Sequence, residues 1–271
     1  MKRTLTTACG CVNEEGFGNA RSWTPWPASS GQPPRLRWRA FSRRPFERFG
    51  RLDLLCKYAV AAVEMLDLPP PADGGAAPDT ALCLGSEHGS LDVDVKFHQS
   101  IGQPGGASPT LFSYTLPSTA AGEIAIRHAI TGPSMCLLAG PESGWLALWE
   151  GAKLVAAGDA ARCICVGCDA VSLPLANTPI GHAYAFLVEA EANERLREPL
   201  AELKFTRARD AQSRALRGDE PGNVLARTFR FLADNRTRGG AALYLKAPAT
   251  LMSSEALVML SGPRSSNGRT G

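Results

Sequence analysis

Residues 108–171 read SPTLFSYTLPSTAAGEIAIRHAITGPSMCLLAGPESGWLALWEGAKLVAAGDAARCICVGCDAV, and this stretch decides the fold. It predicts a helix over 118–130, then a short apolar run of strand length at 134–139, expected to be a buried strand. A second helix is expected over 145–157, with Gly158 in the place a C-cap glycine takes. Residues 162–168 form another apolar strand. Apolar strands alternating with helices predict an α/β layered domain.

Outward from this segment the pattern continues. Residues 2–12 form a first strand, and Leu52, Leu55, Cys56, Ala59, Val63 and Leu66 recur at helical spacing. Asp53 and Lys57 make an i,i+4 pair on that helix, and Pro69, Pro70 and Pro71 stop it. A short strand at 81–84 leads into Gly85-Ser86-Glu87-His88-Gly89, and 183–189 is a further strand. Between the first strand and first helix, Arg35, Arg37, Arg39, Arg43, Arg44, Arg48 and Arg51 interleave with Trp38, Phe41, Phe46 and Phe49. That stretch reads as a loop clamped by its aromatics with solvated arginines, or as a basic surface for an acidic partner such as a carrier protein. Residues 205–223 are polar and basic, a solvated helix or linker. An amphipathic helix at 224–233, a last strand at 241–246 and a frayed tail at 261–271 complete the chain. The expected division is a first domain over 1–202 and a partly helical extension with a disordered tail over 203–271.

The 271 residues are 44% hydrophobic and 20% charged, enough for one good-sized core. A net charge of +3 is too near balance for nucleic acid as the main partner. No apolar run reaches the roughly 18–20 residues that cross a bilayer, and the first residues carry no secretory apolar region, so the cytoplasm is expected. The 8 cysteines would stay reduced there. Cys163, Cys165 and Cys168 lack a second Cys or His pair at zinc-like spacing and read as small buried hydrophobes. Asp92 and Asp94 share a face of a short helix or turn with no partner motif, and Gly105-Gly106-Ala107 lacks the lysine of a phosphate loop. No metal and no cofactor is expected.

Ser108-Pro109, Ala121-Gly122, Gly132-Pro133, Ser143-Gly144 and Gly158-Asp159-Ala160 follow one another in an order that resembles the core of beta-ketoacyl synthases. With Gly85-x-x-His88-Gly89 and Ala139-Gly140 before an acidic residue and Ser143, the pattern looks most like the short beta-ketoacyl synthase-like N-terminal domain family, often described as truncated chain length factors. About two-thirds of the chain takes part. The resemblance implies the N-terminal half of a thiolase-like fold, a layered mixed sheet with flanking helices.

A synthase of that family needs a cysteine at the sharp strand-to-helix turn, where the helix N-terminus favours the thiolate. The matching position here is Pro141, which has neither a nucleophile nor a backbone N–H. One departure is notable, since an acidic residue would be expected there. The family's two histidines come from a C-terminal half, yet His88, His98, His128 and His182 all lie within the N-terminal half and the chain ends early. The resemblance therefore implies a non-catalytic subunit that pairs with a complete beta-ketoacyl-ACP synthase, and meets the acyl carrier protein through that complex, in fatty acid, polyketide or aryl polyene biosynthesis. In the family, subunits pair through the strand before the nucleophile turn, here with Ser134, Met135, Cys136 and Leu137. A loop reaching toward the partner's acyl tunnel would carry Leu111, Phe112 and Tyr114. Two alternatives stand beside this: a residual acyltransferase or hydrolase using Ser143, with His88 as a further candidate, and a stand-alone acyl-binding protein.

Overall fold

The computed structural model describes residues 2–27, 35–70, 75, 77, 79–172, 180–191, 198–207, 224–234, 241–246 and 255–261. Among them, ten strands join in one sheet: β1 (Thr4–Val12), β2 (Gly16–Asn19), β3 (Trp23–Pro25), β4 (Thr80–Gly85), β5 (Ser134–Leu137), β6 (Arg162–Val171), β7 (Ile180–Ala190), β8 (Ala201–Arg207), β9 (Ala242–Lys246) and β10 (Glu255–Ser261). Their order is β5-β4-β6-β7-β1-β8-β10-β9, with β2 and β3 branching from β1. β4 pairs in parallel with β5 and β6, while β7 runs antiparallel to both β6 and β1.

Strand periodicity sorts the side chains onto two faces. From β4 and β6, Leu82, Leu84, Ile164, Val166 and Cys168 join α2 (Leu54–Glu64) and α5 (Ser118–His128) in one core. The alternate residues Ala81, Cys83, Cys163 and Cys165 join α6 (Ser143–Ala157) and α7 (Val224–Asp234) in the other. The thiols thus serve as small packing groups. Gly151 of α6 sits directly over them, and a Cβ there would lie 2.2 Å from the Cys165 Sγ. Asp53 caps α2 by accepting hydrogen bonds from the backbone N–H groups of Leu55 and Cys56, a stronger role than the expected surface pair with Lys57. α6 ends at Gly158 with φ 92°, as its C-cap position predicts.

Several expectations change. Strand β5 is shorter than the expected 134–139 and is not buried: Ser134 is exposed and Met135 to Leu137 are half-buried, because among the described residues β5 is an edge strand paired with β4 alone. Phe205, expected at the start of a polar linker, lies in β8, a strand that runs across the expected boundary at residue 202. The strand at β9 is not the last, since β10 inserts between β8 and β9. Residues 208–223 and 262–271 lie outside the described residues. The helix after β4, α3 (Leu91–Ile101), is longer than the short helix or turn expected around Asp92 and Asp94. Only Asp92 and Val93 of it are buried, so its sequence carries little helical apolar signal.

The arginine-rich segment contains a short helix, α1 (Trp38–Phe41), and a 3-10 turn (Glu47–Arg51). Its aromatics do clamp it, but two of its arginines are not simply solvated. Arg44 pairs with Glu64 at 3.0 Å and Arg48 with Glu123 at 2.6 Å. Arg127 of α5 stacks over the rings of Trp38 and Phe46, at 4.5 and 4.9 Å from their centres, and also bonds Glu64. His128 lies 3.9 Å from the same carboxylate, and neither of its ring nitrogens makes a hydrogen bond among the described residues. Burial pushes Glu64 up, but its bonds to Arg127 and Ser42 and the charge of Arg44 more than offset this, leaving it below the usual carboxylate range. Burial lowers His128 to about 4, against the opposing pull of Glu64.

Candidate functional site at the β5–α6 turn

Residues 138–142 carry the chain from β5 into α6. Gly140 takes φ 64°, the left-handed conformation such a sharp turn requires. Ser143 locks the turn from inside: its hydroxyl donates to the Gly140 carbonyl at 2.6 Å and accepts the Ala139 N–H at 2.8 Å. The side chain is 1% exposed, so this hydroxyl is committed to structure. Gly85 at the end of β4 is where α6 comes closest, and a Cβ there would lie 1.9 Å from the Ser143 carbonyl oxygen.

Pro141, which the resemblance puts at the nucleophile position, is exposed on the turn and lines a cavity of about 350 Å³. Glu87 and His88 enter from the loop after β4, Asp169 from β6, and His182 and Tyr184 from β7. The apolar side includes Trp145 of α6 and Leu225 of α7. Leu225 explains two glycines. A Cβ on Gly144 or Gly167 would lie 2.5 or 2.0 Å from the Leu225 Cδ1, so α7 reaches the cavity only because both positions lack a side chain.

Asp169 organises the polar wall. Its Oδ1 accepts from the Ser86 hydroxyl at 2.9 Å and from the His88 backbone N–H at 2.9 Å, and lies 3.3 Å from His88 Nδ1. Its Oδ2 lies 3.9 Å from His182 Nε2. Burial lowers the pKa of His182, opposed by the negative charge of Asp169. Of the residues singled out in the sequence, His88 and Pro141 meet in this cavity. Asp169, His182 and Leu225 were missed. The available signal for Asp169 was a charged residue inside an otherwise apolar strand, RCICVGCDAV; for Leu225 the sequence held none.

The remaining candidates lie elsewhere. Leu111 and Phe112 belong to α4 (Pro109–Phe112), with Leu111 half-buried and Phe112 62% exposed. Tyr114 is half-buried against the α2/α5 core. Ser134, Met135, Cys136 and Leu137 occupy the edge strand, and burial pushes the Cys136 thiol up, away from the reactive thiolate. Leu138, directly after that strand, is more than half exposed, as are Leu116 and Ile126. Leu138 sits close to Pro117, since both would meet a Cβ placed on Gly89.

The chain is similar to 3-oxoacyl-[acyl-carrier-protein] synthase 2 of Vibrio harveyi, 23% identical over 227 residues that cover 80% of this chain and 51% of that protein. It is 30% identical to the same-named protein of Rhizobium meliloti (strain 1021) over 119 residues, covering 41% of this chain and 27% of that one. It therefore spans about half the length, or less, of these curated relatives. Among solved structures, a beta-ketoacyl synthase from Burkholderia phymatum STM815 superposes with TM-score 0.67 at 13% identity, covering 97% of this chain and 100% of that chain. The ishigamide ketosynthase/chain length factor superposes with TM-score 0.64 at 20% identity, covering 96% and 100%. A ketosynthase in complex with its chain length factor from Xenorhabdus doucetiae gives 0.58 at 15%, covering 96% and 99%. These likenesses establish the thiolase-like ketosynthase fold, with its mixed sheet and flanking helices. With residues 20–237 matching "Beta-ketoacyl synthase, N-terminal domain", this chain belongs to that family.

Proposed function

We propose that this chain is a non-condensing, chain-length-factor-like subunit that pairs, in the cytoplasm, with a complete beta-ketoacyl-ACP synthase and meets the acyl carrier protein through it, in fatty acid, polyketide or aryl polyene biosynthesis. The observation that carries this reading is the β5–α6 turn, which presents Pro141 where the family chemistry needs a thiol. Ser143 offers no substitute, because both sides of its hydroxyl are used within the turn.

The pairing half of the proposal rests on β5. Its outer edge has no neighbouring strand among the described residues, exposed Leu138 directly follows it, and Pro117, next to exposed Leu116, lies close to Leu138. An open edge beside apolar side chains is a surface that association would cover. The solved neighbours support the same reading, since two of them are a ketosynthase with a chain length factor. Phe112 and Leu111 would then face the partner's acyl tunnel and limit chain growth by bulk alone.

Size-exclusion chromatography with mass determination tests the pairing. The chain is expressed alone and with a complete synthase from the same gene neighbourhood. A one-to-one complex is expected. Leu116→Asp with Leu138→Asp should weaken it by about 10-fold or more, as burying unpaired charges in an apolar contact does. A chain that stays monomeric beside every such synthase rules the pairing out.

A further inference from the structure

We propose that the cavity beside Pro141 is a hydrolytic site for uncharged acyl thioesters, in which His88 activates water and Asp169 positions His88. This goes beyond the partner-subunit reading and does not depend on it. Asp169 is 9% exposed, and its Oδ1 is fixed by the Ser86 hydroxyl and the His88 backbone N–H. Its contact with His88 Nδ1 at 3.3 Å holds the imidazole proton on that nitrogen and leaves Nε2 as the acceptor. His88 is partly exposed and lines the cavity, so water reaches its ring.

The step balances without a covalent intermediate. Nε2 takes a proton from water as the water oxygen bonds to the thioester carbonyl carbon. The tetrahedral oxyanion then collapses, the C–S bond breaks, and the leaving thiolate takes the proton back from the imidazolium. The products are a carboxylic acid and a thiol. The N-terminus of α6 reaches the cavity at Gly144 and Trp145, and its dipole favours the negative charge that develops on the carbonyl oxygen.

The lining also sets a substrate class. Trp145, Ile180, Tyr184 and Leu225 offer an apolar wall, and a volume of about 350 Å³ suits a short acyl chain. Glu14, Glu87 and Asp169 line the same space and disfavour a second carboxylate, so a malonyl-type thioester is a poor ligand.

The test uses the full chain, alone or with a synthase whose nucleophilic cysteine is replaced by alanine. Thiol release is followed from butyryl-N-acetylcysteamine and from malonyl-N-acetylcysteamine. Release from the butyryl thioester should exceed buffer, and the malonyl thioester should react at least about 10-fold more slowly. His88→Gln should lower the rate about 100-fold or more at an unchanged melting temperature. Asp169→Asn should lower kcat and move the acid limb of the pH–rate profile at an unchanged melting temperature, which a loss of folded protein would not do. Intact mass should show no acyl adduct. Release no faster than buffer, full activity in His88→Gln, or an acyl group found on the chain each overturns the proposal. Failure to pair with a synthase, with hydrolysis intact, removes only the partner-subunit reading.

Discussion

Two clusters in this chain use the same residue types to opposite ends. On the α2/α5 face, Glu64 gathers Arg44, Arg127 and His128. On the other side of the sheet, Asp169 gathers Ser86, His88 and His182. The first is sealed: Glu64 and His128 side chains are each 4% exposed, and stacked aromatics close over Arg127. The second opens on a cavity through His88 and His182, whose side chains are 29% and 37% exposed. Burial with cationic partners makes a carboxylate structural, whereas a buried carboxylate holding half-exposed imidazoles is arranged for a ligand or for proton transfer.

Breaking each cluster should show the difference. Glu64→Ala leaves Arg127 beside a buried histidine with no countercharge, and should cost about 3 kcal/mol of stability in urea unfolding. His88→Gln, the matching change in the open cluster, should stay within about 0.5 kcal/mol in the same measurement. An intermediate effect is expected from Gly144→Ala, which pushes Leu225 off the cavity wall and should cost roughly 1–2 kcal/mol. Its signature beyond stability is altered access to the open cluster, read as faster quenching of Trp145 fluorescence by acrylamide.

A further prediction concerns pH. His128 titrates at about 4 in the folded chain, against an ordinary value of 6.5. Between those values the unfolded chain binds more protons, so stability should fall as pH drops from about 6.5 toward 4, by roughly 1–3 kcal/mol. The depressed Glu64 carboxyl acts with the same sign at more acid pH, because protonation costs its bonds to the arginines. Urea midpoints taken across this range should slope upward with pH, and His128→Gln should flatten the slope. An unchanged slope in that variant would move the effect to another group.

Much of the frame was legible. The strands at β1, β4, β6 and β7 and the helices α2, α5 and α6 follow from apolar periodicity, and Gly158 marks its helix end by chirality alone. The edge strand was misread for a physical reason: an apolar run looks the same whether it is flanked on both sides or on one. The full length of α3 was missed because it buries little, and β10 because its pairing with β8 and β9 is set by residues far away in sequence. In the site, Pro141 and His88 were visible through the resemblance, while Asp169 and Leu225 gained meaning only when three strands and a distant helix met around them.

By itself the sequence determined the layered α/β class, the family, and the absence of a thiol at position 141, because these depend on local periodicity and on motif order along the chain. Only the tertiary structure put β5 at an edge of the sheet among the described residues. It alone brought Asp169 to His88 and carried Leu225 to a gap between two glycines. Contacts between residues more than fifty positions apart leave no trace in local pattern, since long-range packing fixes them.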